Sequence, residues 1–339
     1  MQRLSHILNY AAAVSEGTAM EAFYYLFSKK MRKMLTAAQL DLQQLQEIRL
    51  RIGQPVFLYY RGKEYVLTEE GGLACDTAAG YRVQVEELKE MLESISGYSL
   101  YAFEEELKAG YLTVPGGHRI GVAGKIVQED GRISCIRNIA FLNIRLAHQV
   151  KGCADSVMDY LYQGEEVCHT LIISPPRCGK TTLLRDIIRQ ISNGYGTVSG
   201  KTVGVVDERG ELAGSYCGIP QNDLGIRTDV LEGCTKGKGM MMLLRSMAPQ
   251  VLAVDELGSS ADGEAVERLF HCGCRLIATV HGKALEDLER IPLLRQMQKQ
   301  RCFERYIVLE AQTNPGIVKE ISDGNGTILY RRDGVCSFG

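Results

Sequence analysis

The sequence predicts an α/β fold in two domains, and three observations carry that reading. At 339 residues the chain is long enough for about two domains, and its 45% apolar content supplies ordinary buried cores. From Thr170 onward apolar strands alternate with helical patterns of about 10–15 residues, the mark of βαβ units and a parallel sheet. Finally, 36 glycines against 8 prolines gather at the ends of apolar runs, where strands turn tightly into helices. The predicted organisation is a smaller α+β domain over residues 1–148, a linker helix over 149–168, and a domain with a mainly parallel sheet over 169–339.

The same composition excludes several classes of protein. This much apolar sequence rules out a disordered or fibrous chain, and a formal charge of −2 gives no sign of a nucleic-acid coat. Eleven cysteines with no C-x-x-C pair read as reduced, cytosolic thiols; Cys272 and Cys274 make at most half a metal site. No run reaches the ~18 apolar residues of a membrane span. The N-terminal MQRLSHILNYAAAVSEG is broken by Asn9, Tyr10 and Glu16, unlike a signal peptide, so any work at a membrane is expected to run through a partner.

Taken in order, residues 18–46 read as helical, with AAQLDLQQLQ as a second stretch and Lys29, Lys30, Arg32 and Lys33 on a solvated face. EIRLRI (47–52) alternates at period two, Gly53-Gln54-Pro55 turns, and VFLYY (56–60) returns as a hairpin, with Arg49 and Arg51 sharing a face. VEELKEMLESI (85–95) and SLYAFEEELKAG (99–110) read as helices, the second stopped by glycine. YLTVPGGHRIGVAGKIVQEDGRISCIRNI reads as short strands separated by Pro115-Gly116-Gly117, Gly124 and Asp130-Gly131. Residues 152–163 read as a connecting helix.

Chemistry concentrates in the second half. In TLIISPPRCGKTTLLRDIIRQI (170–191) an apolar strand runs into a loop, and Gly179-Lys180-Thr181-Thr182 opens an amphipathic helix with Leu183, Leu184, Ile187, Ile188 and Ile191 on its buried side. That is the context of a phosphate-binding loop, whose backbone N–H groups and helix N-terminus point at phosphate oxygens. The candidate nucleotide-binding residues are Ser174, Pro175, Pro176, Arg177, Cys178, Gly179, Lys180, Thr181 and Thr182. Lys180 is expected on the β/γ-phosphates and the Thr181 hydroxyl on Mg²⁺. Ser174 stands where the motif has its first glycine, a small residue for a tight strand exit.

Three further strands end in polar groups. QVLAVDELG (250–258) ends in Asp255, expected to hold the Mg²⁺ water shell, and Glu256, expected to orient or activate the attacking water. TVGVVDERGEL (202–212) ends in Asp207 and Glu208, and CRLIATVHG (274–282) ends in His281. Ligands of open α/β sheets bind at the carboxyl ends of the strands, so this edge is the expected active site. Its candidate catalytic residues are Glu256, Lys180, Glu208 and His281.

This order of motifs resembles the Walker A, Asp box, Walker B and His box of secretion and type IV pilus ATPases. EIRLRIGQPV, GGHRIGVAGK, NIRLAHQVKGCAD, PPRCGKTTLLRD, VVDERGEL, DVLEGCTKGKGMMMLLRSMAPQVLAVDELG and ATVHG, taken together, resemble the stage III sporulation protein AA family over about residues 45–315. The resemblance implies a RecA-like P-loop ATPase that uses ATP and Mg²⁺ and assembles as a hexamer. It also implies a place in the mother-cell cytoplasm, peripheral to the outer forespore membrane, where the motor energises a sporulation-specific channel or secretion-like complex through integral membrane components. Such motors complete the nucleotide site with arginines of a neighbouring subunit, because the transition state spreads negative charge over the γ-phosphoryl oxygens. Arg119, Arg137, Arg145, Arg227 and Arg245 are the candidates. Two other readings stay open: a nucleic-acid-dependent motor on the same core, which the near-neutral charge disfavours, and a nucleotide-binding assembly scaffold with little hydrolysis, suggested by Ser174 and Arg177. The helix around Met240, Met241, Met242, Leu243 and Leu244 reads as core.

Overall fold

A computed structural model of the chain describes residues 23–96, 104–108, 110–310 and 316–332. The N-terminal run through Glu16, the helical reading of 18–22, the first part of the helix expected at 99–110, and Cys336 lie outside the described residues. The chain forms two compact units, one comprising residues up to His148 with Gly214–Gln221, the other Gln149–Ala213 with Asn222 onward.

The first unit is one antiparallel sheet with helices on one face. Its strands are β1 (Leu45–Arg51), β2 (Phe57–Tyr60), β3 (Lys63–Leu67), β4 (Leu73–Ala74), β5 (Tyr111–Val114), β6 (His118–Glu129) and β7 (Arg132–Arg145), in the order β4-β3-β2-β1-β7-β6-β5. The hairpin β1–β2 pairs Arg49 with Phe57, so period-two alternation sends Ile48 and Leu50 inward and Arg49 outward. Helices α1 (Lys29–Ala37), α2 (Val85–Ser96) and α3 (Glu104–Lys108) bury Met31, Leu35, Leu88, Met91 and Leu107 against those strands.

Two local expectations change here. AAQLDLQQLQ does not continue a helix: α1 ends at Ala37, Gln39 takes a left-handed φ of 48°, and Asp41 caps a short 3₁₀ turn at Leu42–Gln44 before β1 begins. The inward side chains Leu45, Ile48 and Leu50 then follow the strand rather than the helix. Gly124 does not separate two strands either. It sits at a bulge inside β6, where the register shifts between Ala123 and Lys125. A Cβ there would lie 2.6 Å from the Arg137 carbonyl oxygen, so glycine is what permits the close approach.

The second unit begins with α4 (Asp155–Met158), a 3₁₀ turn at Asp159–Leu161 and a small hairpin, β8 (Tyr162–Gln163) and β9 (Glu166–Val167), where a single connecting helix was expected. This segment is packed into the unit: Val157, Met158 and Leu161 are fully buried, and the Ala154 amide donates to Asp186 Oδ2 (2.9 Å). Then come β10 (Thr170–Ser174), α5 (Lys180–Asn193), the small hairpin β11 (Gly194–Tyr195) and β12 (Val198–Ser199), β13 (Val203–Asp207), β14 (Thr228–Glu232), α6 (Lys236–Ser246), β15 (Val251–Val254), α7 (Ser260–His271), β16 (Arg275–His281), α8 (Pro292–Lys299), β17 (Arg305–Leu309), β18 (Val318–Asp323) and β19 (Ile328–Arg331).

The main sheet has the order β14-β13-β15-β16-β10-β17-β18-β19. The first six are parallel and the last two antiparallel. The central parallel strands β10, β13, β15 and β16 are apolar on both faces because helices cover both. On one face α5 packs Leu183, Leu184, Ile187, Ile188 and Ile191 on Ile172, Val205, Ala253 and Ile277. On the other, α6, α7 and α8 pack Met240, Leu269 and Met297 around Ile173, Val254 and Ala278. In α6 the methionines divide: Met240 is buried, while Met242 is exposed. Among the described residues no helix is long and apolar enough to cross a membrane.

Candidate functional site

Strands β13, β15, β16 and β10 are successive neighbours in the sheet, so their carboxyl ends form one continuous edge. β10 ends at Ser174, which is fully buried and donates its hydroxyl to the Pro175 carbonyl (2.9 Å). Beyond it the left-handed positions of the loop are Arg177 (φ 63°) and Gly179 (φ 87°). The reversal into the helix is therefore made later in the loop than the motif's first glycine. Pro176 and Arg177 are exposed, whereas Cys178 is buried with its thiol on the Pro176 carbonyl (3.5 Å).

Gly179 is the N-cap of α5, and no side chain caps that terminus. The amides of the first turn, at Lys180, Thr181 and Thr182, thus lack intrahelical acceptors and sit at the positive end of a 14-residue helix. Lys180 is nearly buried and its Nζ reaches Glu256 Oε1 (2.8 Å) and Asp255 Oδ1 (3.2 Å). The Thr181 hydroxyl donates to Asp255 Oδ2 (2.7 Å).

The end of β15 is held from β16. Thr279, buried in the adjacent strand, accepts the Glu256 amide on its hydroxyl (2.9 Å) and donates that hydroxyl to Asp255 Oδ1. Glu256 itself takes a φ of 59°, a conformation L-residues rarely adopt and one that collects at functional sites. Its carboxylate meets three cationic or basic groups: Lys180 and His281 Nε2 (2.8 Å) on Oε1, and Arg209 Nη1 (2.8 Å) on Oε2. Burial alone would raise the Glu256 carboxyl, but Lys180, Arg209 and His281 outweigh it and hold the group below the usual carboxylate range.

The acids after β13 divide. Asp207 is 2% exposed and accepts the amides of Glu211 (2.9 Å), Leu212 (2.9 Å) and Ala213 (2.8 Å), which makes it the anchor of the following loop. Burial raises its carboxyl against the opposing pull of those amides. Glu208 turns to Lys236 at the start of α6. The structure therefore brings Lys180, Thr181, Asp255, Glu256 and His281 into mutual contact, while Glu208 pairs with Lys236.

The five arginines have separate settings. Arg119 lies over the Tyr111 ring (4.1 Å) and stands opposite Arg145, which pairs with Glu47 (3.4 Å). Arg137 is exposed on β7, Arg227 donates to the Ser192 carbonyl (3.0 Å), and Arg245 lies exposed in the last turn of α6. Two residues of the site escaped the sequence reading. Thr279 is a hydroxyl inside the apolar run 276–280, and that was its visible signal. Arg209 follows an Asp-Glu pair in a loop and carried none.

The donor set fits a magnesium nucleotide. An uncapped helix N-terminus and a nearly buried lysine suit phosphate. A threonine hydroxyl and a carboxylate 2.7 Å apart give the small protein share of ligands that Mg²⁺ takes when phosphate and water supply the rest. A parallel sheet with such a loop after one strand and an acidic strand end beside it defines a RecA-like P-loop NTPase fold.

Solved structures share that fold. The Legionella pneumophila ATPase DotB matches with a TM-score of 0.55 at 16% identity, covering 87% of this chain and 80% of that one. The pilus retraction motor PilT, solved with bound ADP, matches with a TM-score of 0.52 at 18% identity, covering 80% and 75%. The profile of the family "Sporulation stage III, protein AA" matches residues 18–329, and the chain belongs to that family. It is 42% identical over 292 residues to the stage III sporulation protein AA of Bacillus subtilis (strain 168), covering 86% of this chain and 91% of that protein.

Proposed function

We propose that the chain is a Mg²⁺-dependent ATPase of the secretion-motor type that acts as a hexamer and energises a sporulation channel or secretion-like complex. The observation that carries this is the convergence of Lys180 and Thr181, from the start of α5, with Asp255 and Glu256, from the end of β15. The loop from Ser174 to Gly179 and the first amides of α5 bind the phosphates, and Lys180 leaves its carboxylates to bind the β/γ-phosphates. Thr181 and Asp255 hold Mg²⁺, which when bound neutralises charge on the phosphate oxygens. Glu256 orients the attacking water, and His281 holds the Glu256 carboxylate. Glu208, paired with Lys236 at the start of α6, stays a candidate for the reacting set.

Family membership supports the sporulation setting, and the likeness to an ATPase and to a pilus retraction motor supports a motor on this fold. With no membrane-crossing helix among the described residues, docking to integral membrane components in the mother cell is the consistent arrangement. Phosphate release by wild type, Lys180→Ala and Glu256→Gln tests the assignment. Turnover is expected in the wild type and a loss of about 100-fold or more in each variant; equal rates in all three would remove the mechanism.

A further inference from the structure

Arg209 belongs to the site by geometry, although within VVDERGEL it is given no role of its own. Its guanidinium meets Glu256 Oε2 at 2.8 Å, on the oxygen opposite the one shared by Lys180 and His281. The backbone that presents it is fixed from several sides. Asp207 takes three amides of the loop, Arg185 donates to the carbonyls of Glu211 (2.7 Å) and Leu212 (2.9 Å), and Asn222 donates to the Leu212 carbonyl (2.9 Å). The Arg209 side chain, by contrast, is 63% exposed, so it reaches the site from solvent and fills no core space.

We propose that Arg209 is a positioning residue for hydrolysis, holding Oε2 of Glu256 so that Oε1 faces the attacking water once Lys180 has moved to phosphate. The inference rests on the ATPase reading of this site. Its physical basis is an asymmetry between the two oxygens. When phosphate draws Lys180 away, Oε1 loses a partner and can accept a hydrogen bond from water, while the Arg209 contact on Oε2 remains. Glu256 sits at φ 59°, a sparsely populated backbone conformation that persists only where surrounding contacts hold it. The Nη1–Oε2 contact is a point-charge attraction that a lysine ammonium can supply in part.

The test compares full-length wild type, Arg209→Ala and Arg209→Lys in phosphate release across ATP concentrations with Mg²⁺, in binding of a fluorescent ATP analogue, and in hydrogen exchange of the nucleotide-free protein. Arg209→Ala is expected to lower kcat by about 10- to 100-fold, the cost of a misplaced reacting group. KM and the analogue Kd should stay within about threefold, and Arg209→Lys should restore most of the turnover. Exchange should quicken across residues 255–258 and stay unchanged across 203–207. A kcat within about twofold of wild type, a loss confined to KM, or unchanged exchange at 255–258 would overturn the assignment. A wild type that binds the analogue but releases no phosphate would instead overturn the ATPase reading, and this inference with it.

Discussion

The Glu256 carboxylate is met by Lys180, Arg209 and His281, and its backbone is strained. Its depressed pKa has a stability consequence with a definite sign. The folded value lies below the ordinary 4.5, so the ionised carboxylate stabilises the folded state above that pH, and the contribution disappears as pH falls through the lower folded value. Glu256→Gln should therefore unfold more easily than wild type near pH 7, by about 1.5–3 kcal/mol, the usual worth of hydrogen bonds to a charged group. In denaturant titrations at several pH values, that gap should close below about pH 4.5. A gap that stays constant down to pH 3 would show that the cations do not favour the ionised form. At this scale the sequence singled out Lys180, Thr181, Asp255 and Glu256, which the structure brings into contact, because they follow motifs carried by one strand-to-helix turn and one strand end. Arg209 and the Thr279 bracket stayed hidden, since each acts through a contact more than 20 residues away in sequence.

Among the elements, those with a strong period were legible and those decided by a single backbone turn were not. The buried strands β10, β13, β15 and β16 and the apolar stripe of α5 stand out because parallel strands covered on both faces are apolar throughout. The segment 37–46 has helical composition, but Gln39 at φ 48° and Asp41 as a cap end the helix, and packing of Leu45 and Ile48 decides for a strand. In the segment 149–168 a helical period was also overridden, as hydrogen bonds such as Ala154 to Asp186 seat a short α4 on α5. Gly124 gives the sharpest test of element packing. Gly124→Ala would drive its Cβ to 2.6 Å and 2.9 Å from the carbonyl oxygens of Arg137 and Asn138. It should cost about 1–3 kcal/mol, in the range of overpacked sites, with circular dichroism and denaturant midpoints as the readout. An unchanged midpoint would mean that the bulge can open freely.

For the whole molecule, the proposed hexameric motor directs attention to two arginines of the first unit. Arg119 and Arg145 are register partners on β6 and β7, Arg119 over the Tyr111 ring and Arg145 paired with Glu47. In the proposed hexamer they are candidates to complete the nucleotide site of a neighbouring subunit. The double variant Arg119→Ala/Arg145→Ala and the variant Lys180→Ala should then each be inactive alone, yet mixed assemblies should recover turnover, because some interfaces combine intact arginines with an intact phosphate loop. Activity equal to the sum of the two would count against completion in trans. The central claim is that Glu256 acts on water while Lys180 and Thr181 bind the nucleotide. It is tested most directly by identifying the nucleotide retained after wild type and Glu256→Gln are incubated with Mg²⁺ and labelled ATP, then separated from free nucleotide. The account predicts ADP on the wild type and intact ATP on Glu256→Gln; ADP on both would contradict it.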